Sequence, residues 1–278
     1  MKRIVAGLVA GLVLLTPLPA RAAAPDPVKA LRAQVVPGRG VKVSLVTHLS
    51  MDGERFATTR TDRVAGFREG GVVETDDSST FSFRLDAGAL KGPKAKEARE
   101  KAREEMKEYT LFPSLFIRTR EATYASGGEL IGRLPPGKKW VRGWSDAFSP
   151  ADTTIDLLTP GTLRALLATA SSVGPRSARG AIPVTGIPGR PFGGFPGSGE
   201  KAAWALWFDD RGRVTRLTAT FSQRTNDDYV LGSRSDIRFS GWGSRLTVES
   251  PPEHLVVEAE DLPEADDPFE EAPATLRR

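Results

Sequence analysis

The sequence predicts an α+β fold built on a long, curved antiparallel β-meander, and three observations predict it. Apolar and polar residues alternate with period two over several stretches, as half-buried antiparallel strands do. Tight-turn residues such as Asp52-Gly53, Glu69-Gly70-Gly71 and Asp209-Asp210-Arg211-Gly212 separate those stretches. Helical spacing interrupts the meander at two places, which leaves more apolar sheet surface than two helices cover.

The first segment reads as an export signal. Lys2 and Arg3 precede an apolar run from Ile4 to Leu15, and the small-residue pattern Ala20-Arg21-Ala22 supplies a cleavage site, so residues 1–22 are assigned to a signal peptide. A run of about 12 residues is too short for the ~20 of a spanning helix. The 278-residue chain has no Cys, which excludes disulfides, thiolate chemistry and a lipoprotein anchor. Residues 23–252 are expected to form a single domain.

Val41, Val43, Leu45, Leu49 and Met51 alternate with Lys42, Ser44, His48, Ser50 and Asp52 in the first strand. A second strand runs from Glu54 to Arg68, and a third places Phe81, Phe83 and Leu85 on one face. Pro93 opens a charged helix over 94–109, read either as a lid or partner surface or as a solvated helix packed by one thin face. Strands follow over Leu115 to Ala125 and Glu129 to Trp144, the latter with an interior turn at Pro135-Pro136-Gly137. A second helix begins near Thr159 and Pro160 and presents Leu163, Leu166, Leu167 and Ala170 on one side. Residues 174–199 are rich in Gly and Pro and read as a long irregular loop, functional or merely sealing a sheet edge.

Ala202 to Phe208 is apolar on both faces, with Trp204, Leu206 and Phe208 on one and Trp207 on the other. The following strand alternates Leu217, Ala219 and Phe221 with Arg216, Thr218 and Thr220, and the last contains Ile237, Phe239 and Trp242. Residues 253–278 carry nine carboxylates against Arg277 and Arg278 and are expected to be a mostly disordered acidic tail. The whole chain has a formal charge of +4, which falls to +1 without Lys2, Arg3 and Arg21 and gives no case for nucleic acid.

Catalytic motifs are nearly absent. His48 and His254 are the two histidines, far apart in sequence. The carboxylate pairs Asp76-Asp77, Asp209-Asp210 and Asp227-Asp228 are read as turn chemistry rather than calcium ligands or acid/base groups. The Gly-rich stretch at 193–199 lacks the GK[ST] ending of a phosphate loop. No catalytic residue, metal or cofactor is assigned, and the protein is not expected to be an enzyme.

A resemblance is carried by Gly137-Lys138-Lys139-Trp140-Val141, the leucine-rich stretch Ile155 to Leu167, Ala178-Arg179-Gly180, Leu206-Trp207-Phe208-Asp209 with Gly212 and Arg216-Leu217, and Phe239-Ser240-Gly241-Trp242-Gly243 through Val248 to Pro251. In this order the chain resembles, over about Val28 to Pro252, the exported lipid-carrier superfamily that includes LolA, LolB, LppX and LprG. Asp26 to Val36 resembles the short helix that begins such domains. The resemblance implies a strongly curved antiparallel half-barrel covered by a few helices over an apolar cavity, and a soluble, LolA-like shuttle, since the acylated Cys of LppX and LprG is absent.

The apolar positions available to line such a cavity are Val43, Leu45, Phe81, Phe83, Leu163, Leu167, Trp207, Leu217, Phe221 and Phe239. At about 0.8 kcal/mol per buried methylene, a sixteen-carbon chain offers on the order of 12 kcal/mol gross. The expected function is carriage or binding of lipid or another hydrophobic molecule in the cell envelope, by a secreted or periplasmic monomer making transient membrane or envelope-protein contact. The alternative is an extracytoplasmic interaction or sensor module on the same fold, its core filled and without lipid cargo.

Overall fold

The computed structural model describes residues 26–51, 53–69, 73–83, 114–130, 132–143, 155–188, 201–224 and 230–262. Within them lie two helices, α1 (Pro27–Gln34) and α2 (Pro160–Ala168). Twelve strands accompany them: β1 (Gly40–Met51), β2 (Glu54–Phe67), β3 (Val73–Phe83), β4 (Ser114–Arg118), β5 (Thr123–Ser126), β6 (Trp140–Arg142), β7 (Ala170–Val173), β8 (Ser177–Pro183), β9 (Lys201–Phe208), β10 (Val214–Arg224), β11 (Val230–Ser244) and β12 (Val256–Glu258).

The strands form one curved, unclosed sheet in the order β12-β6-β5-β4-β3-β2-β1-β11-β10-β9-β8-β7. Neighbours in sequence are mostly neighbours in space, as a meander requires. The exceptions are the β12–β6 pair at one edge and the central seam, where β1 pairs antiparallel with β11 and brings Val43 opposite Phe239. The architecture is the α+β half-barrel that the sequence predicts. It is mixed rather than purely antiparallel, because β12 pairs parallel with β6.

Local chemistry explains the ends of the elements. Asp26 caps α1 by accepting from the backbone N–H of Val28 (2.9 Å) and Lys29 (3.3 Å), and Pro27 supplies the preset φ of the first turn. Pro160 does the same for α2, whose Leu163 and Leu166 are fully buried. The β9–β10 turn is held by Asp209, whose carboxylate accepts from the N–H groups of Arg211 (3.0 Å) and Arg213 (2.9 Å), with Gly212 at φ +75°. Burial pushes the Asp209 carboxyl up, but those bonds and the Arg213 guanidinium outweigh it and hold it below the usual carboxylate range.

Several expected elements differ. The turn expected at Pro135-Pro136-Gly137 is present, but among the described residues only the segment after it is a strand, β6, while Gly128–Leu130 before it is a 3-10 turn. The Gly/Pro stretch contains an ordered strand, β8, and a 3-10 turn at Val184–Gly186. Residues 253–262, expected within the acidic tail, belong to the fold through β12 and the buried Leu262. Asp76 and Asp77 sit inside β3 rather than at a turn. The signal segment, the charged helix over 94–109, the Asp227-Asp228 turn and residues 263–278 lie outside the described residues.

The main hydrophobic cluster occupies one face of the sheet, termed the inner face, and joins β1, β2 and β8–β11 to α1, α2 and Ile155, Leu157 and Leu158. Residues 245–255 cross the opposite, outer face. Leu246 lies against Gly40, where a Cβ would come within 2.9 Å of its Cδ1 and 2.3 Å of the Ala65 carbonyl. Val248 and Val256 then pack on Ile117 and Tyr124. Arg142 fastens the end of this strap through ion pairs to Glu253 and Glu258.

Candidate functional site

Strand register divides the inner face into an apolar half and a hydroxyl-bearing half. On β9–β11, Trp204 faces Ala219, and Leu206, Leu217 and Ile237 run in one row that continues to Leu45 on β1. Beyond Leu45 the row changes character: Thr61 on β2 faces Leu45, and Ser79 on β3 faces Thr61. The next row runs Ala219, Ser235, Thr47 and Thr59. All five hydroxyl residues are buried and four pair across strands, Thr47 Oγ1 with Ser235 Oγ at 2.9 Å and Thr61 Oγ1 with Ser79 Oγ at 2.9 Å.

On the other side of the Leu45–Thr61 row, in the row of Val43 and Phe239, Arg63 and Asp77 form a bidentate ion pair, Nε–H donating to Oδ1 at 2.6 Å and Nη2 to Oδ2 at 2.5 Å. The Asp77 side chain is 1% exposed and that of Arg63 13%. The inner face therefore carries a buried charge pair where the sequence reading expects an uncharged wall. Asp76 projects outward from the same strand, and partial burial together with the Asp77 charge raises its carboxyl.

Seven of the ten expected wall residues come together. Leu45, Leu163, Leu217, Phe221 and Phe239 are members of one buried cluster, with Val43 and Leu167 partly buried against it. Phe81 and Phe83 occupy register positions opposite Thr59 and Ala57, and their side chains lie outside the description. Trp207 is a correction. Strand alternation turns it to the outer face, where the Arg216 guanidinium lies 4.9 Å from its ring centroid. Arg216 also holds Asp236 through bonds of 2.9 and 2.6 Å. Burial pushes the Asp236 carboxyl up, and Arg216 with Arg238 overcomes this to lower it.

The outer face also has a shallow groove of about 300 Å³ over β8–β10, floored by Ala203 and Ala205 and flanked by Arg179, Thr218 and Thr220. His48 projects outward as well, its Nδ1 3.0 Å from Thr58 Oγ1. His254 lies exposed in the 3-10 turn Glu253–Leu255. The hydroxyl half was missed from sequence, although it left a trace: Thr47 interrupts the odd-numbered apolar series of β1, and Thr59, Thr61 and Arg63 sit in phase with Ala57, Ala65 and Phe67.

No family model matches the chain, and no curated protein matches it. Solved structures similar to it include a hypothetical protein of Chlamydia trachomatis, 9% identical over 82% of this chain and 98% of that one, with a TM-score of 0.29. A DUF1329 family protein of Desulfovibrio piger is 13% identical over 81% of this chain and 95% of its own, with a TM-score of 0.25. A LolA superfamily protein of Nitrosomonas europaea is 8% identical over 81% and 93%, with a TM-score of 0.24. Superpositions this loose carry no argument about function, and the fold is read from the chain's own sheet.

Proposed function

We propose that this protein is an exported, non-catalytic carrier or binder of lipid or another hydrophobic ligand in the cell envelope. The observation that supports the reading is the division of the inner face. An amphiphile needs apolar surface for its chain and hydrogen-bonding groups for its head, and here the cluster around Leu45, Leu217 and Phe239 adjoins the Thr47, Thr59 and Thr61 hydroxyls within one curved sheet. No bond needs to be made or broken, and burial of a chain supplies the affinity.

Native mass spectrometry of the exported protein, followed by organic extraction, tests the reading. The expected result is a lipid-sized adduct that Leu167→Glu removes, because Leu167 borders the cluster while only partly buried. Trp207→Arg, on the other face, is expected to retain it. A bare mass after incubation with mixed lipids would overturn the reading. The interaction-module alternative rests on one observation: Leu163, Leu166, Leu206 and Leu217 are 0% exposed, as in a core filled by its own side chains.

A further inference from the structure

We propose that the outer face of the sheet around His48 is a docking surface for an anionic phospholipid membrane. The proposal deepens the carrier reading, since a carrier must meet the membrane that supplies or receives its cargo, and its test reads a different signal.

Register assembles the surface from three strands. His48 on β1 faces Arg234 on β11 and Thr58 on β2; one outward position away Arg60 faces Val46, and on the other side Arg55 faces Ser50. Arg55, Arg60 and Arg234 are all exposed, and none makes an ion pair or side-chain hydrogen bond among the described residues. Three other arginines are held by carboxylates: Arg216 by Asp236, Arg213 by Asp209 and Arg142 by two glutamates. Among the described residues the nearest outward carboxylate along the seam, Asp236 opposite Val46, is already engaged by Arg216. Asp62 lies further along the face, opposite Ser44.

Three guanidinium groups without an ion pair among the described residues surround one imidazole and repel each other, and an anion relieves that repulsion. The geometry suits a plane of anions. Outward side chains on adjacent strands stand about 4.8 Å apart and project the same way. The planar fork of arginine matches phosphate oxygens in a bidentate manner. Burial, and then the charges of Arg55, Arg60 and Arg234, lower the His48 imidazole, which reports on the same surface.

The test is vesicle co-sedimentation of the full mature protein, with phosphatidylcholine vesicles that contain or lack phosphatidylglycerol. Binding is expected only to the anionic vesicles and is expected to weaken with salt. Arg60→Gln and Arg234→Gln should each lower partitioning about fivefold at low salt, while Arg164→Gln, an exposed cation on α2, should not. The His48 imidazole, followed by NMR, should titrate higher with phosphatidylglycerol micelles than with inorganic phosphate. Equal binding to neutral vesicles, indifference to salt, or full binding by the Arg60→Gln/Arg234→Gln double variant overturns the proposal.

An imidazole raised to the same extent by inorganic phosphate overturns the membrane assignment. So does one that is already high in the lipid-free protein without vesicle binding, which would give the surface to the chain's own acidic residues at 264–271. Loss of vesicle binding with the lipid adduct retained counts against the docking surface alone. Arginine-dependent vesicle binding without an adduct counts against the cargo reading alone.

Discussion

Arg63 and Asp77 face each other across β2 and β3 with the carboxylate almost wholly out of water. Removing one member of such a pair leaves the other charge in a medium that solvates it poorly. Asp77→Ala is therefore expected to cost about 3–5 kcal/mol by urea denaturation, and Arg63→Met/Asp77→Leu to recover most of that loss. If Asp77→Ala cost less than the double variant, the pair would not be the stabilising unit. His48 gives a pH prediction. Its proton is held less tightly in the fold than at the ordinary value near 6.5, so the unfolded chain takes up the proton first on acidification. Its contribution to stability is full above that value and is lost as pH falls toward the folded value. Melting temperatures of the wild type should fall more steeply over this window than those of His48→Gln. Neither feature was legible as such: alternation marked His48 as outward-facing, but only register revealed which arginines surround it.

Gly180 is the close-approach point of β8. A Cβ there would come within 2.4 Å of the Thr169 carbonyl, 2.8 Å of Trp204 Cζ2 and 3.0 Å of Ala170 Cα. Gly180→Ala must displace the junction of α2 and β7 or the indole, an expected cost of about 1–3 kcal/mol with a shift in tryptophan emission. An unchanged emission and melting point would show that the junction yields freely. The strap makes a second prediction: Val256 is 6% exposed against Ile117 and Tyr124, so Val256→Asp should destabilise by more than about 2 kcal/mol. An appendage that merely solubilised the domain would tolerate the change. Helix α2 was readable because Leu163 and Leu166 recur at helical spacing after a proline. Strand β12 was not, because three residues in an acidic segment carry no periodicity, and its pairing with β6 comes from chain more than a hundred residues away.

Across the whole molecule, the β1–β11 seam joins the two halves of the sheet and pairs residues almost two hundred positions apart, such as Val43 with Phe239. Loop closure over that distance precedes any reward from the contact, so refolding should proceed in milliseconds to seconds rather than microseconds. Stopped-flow tryptophan fluorescence checks this, and a microsecond main phase would mean that the halves fold without the seam. The open sheet ends in β7 on one side and β12 on the other, both short, which limits the edge available for unwanted strand pairing.

The sequence by itself determined the class of fold, most strands and helix α2, because period-two alternation, turn residues and proline-led leucine spacing are local signals that backbone geometry must obey, while α1 was expected only from the family resemblance. It also determined that Leu45, Leu163, Leu217, Phe221 and Phe239 are buried together, since apolar side chains in phase on neighbouring strands share a face. Tertiary structure alone decided which of the two apolar faces of β9 is the inner one, leaving Trp207 outside, that the inner face carries a hydroxyl and ion-paired half, and that residues 253–262 complete the sheet. Each of these depends on a partner distant in the chain, and register, unlike alternation, is a property of pairs of strands rather than of either one.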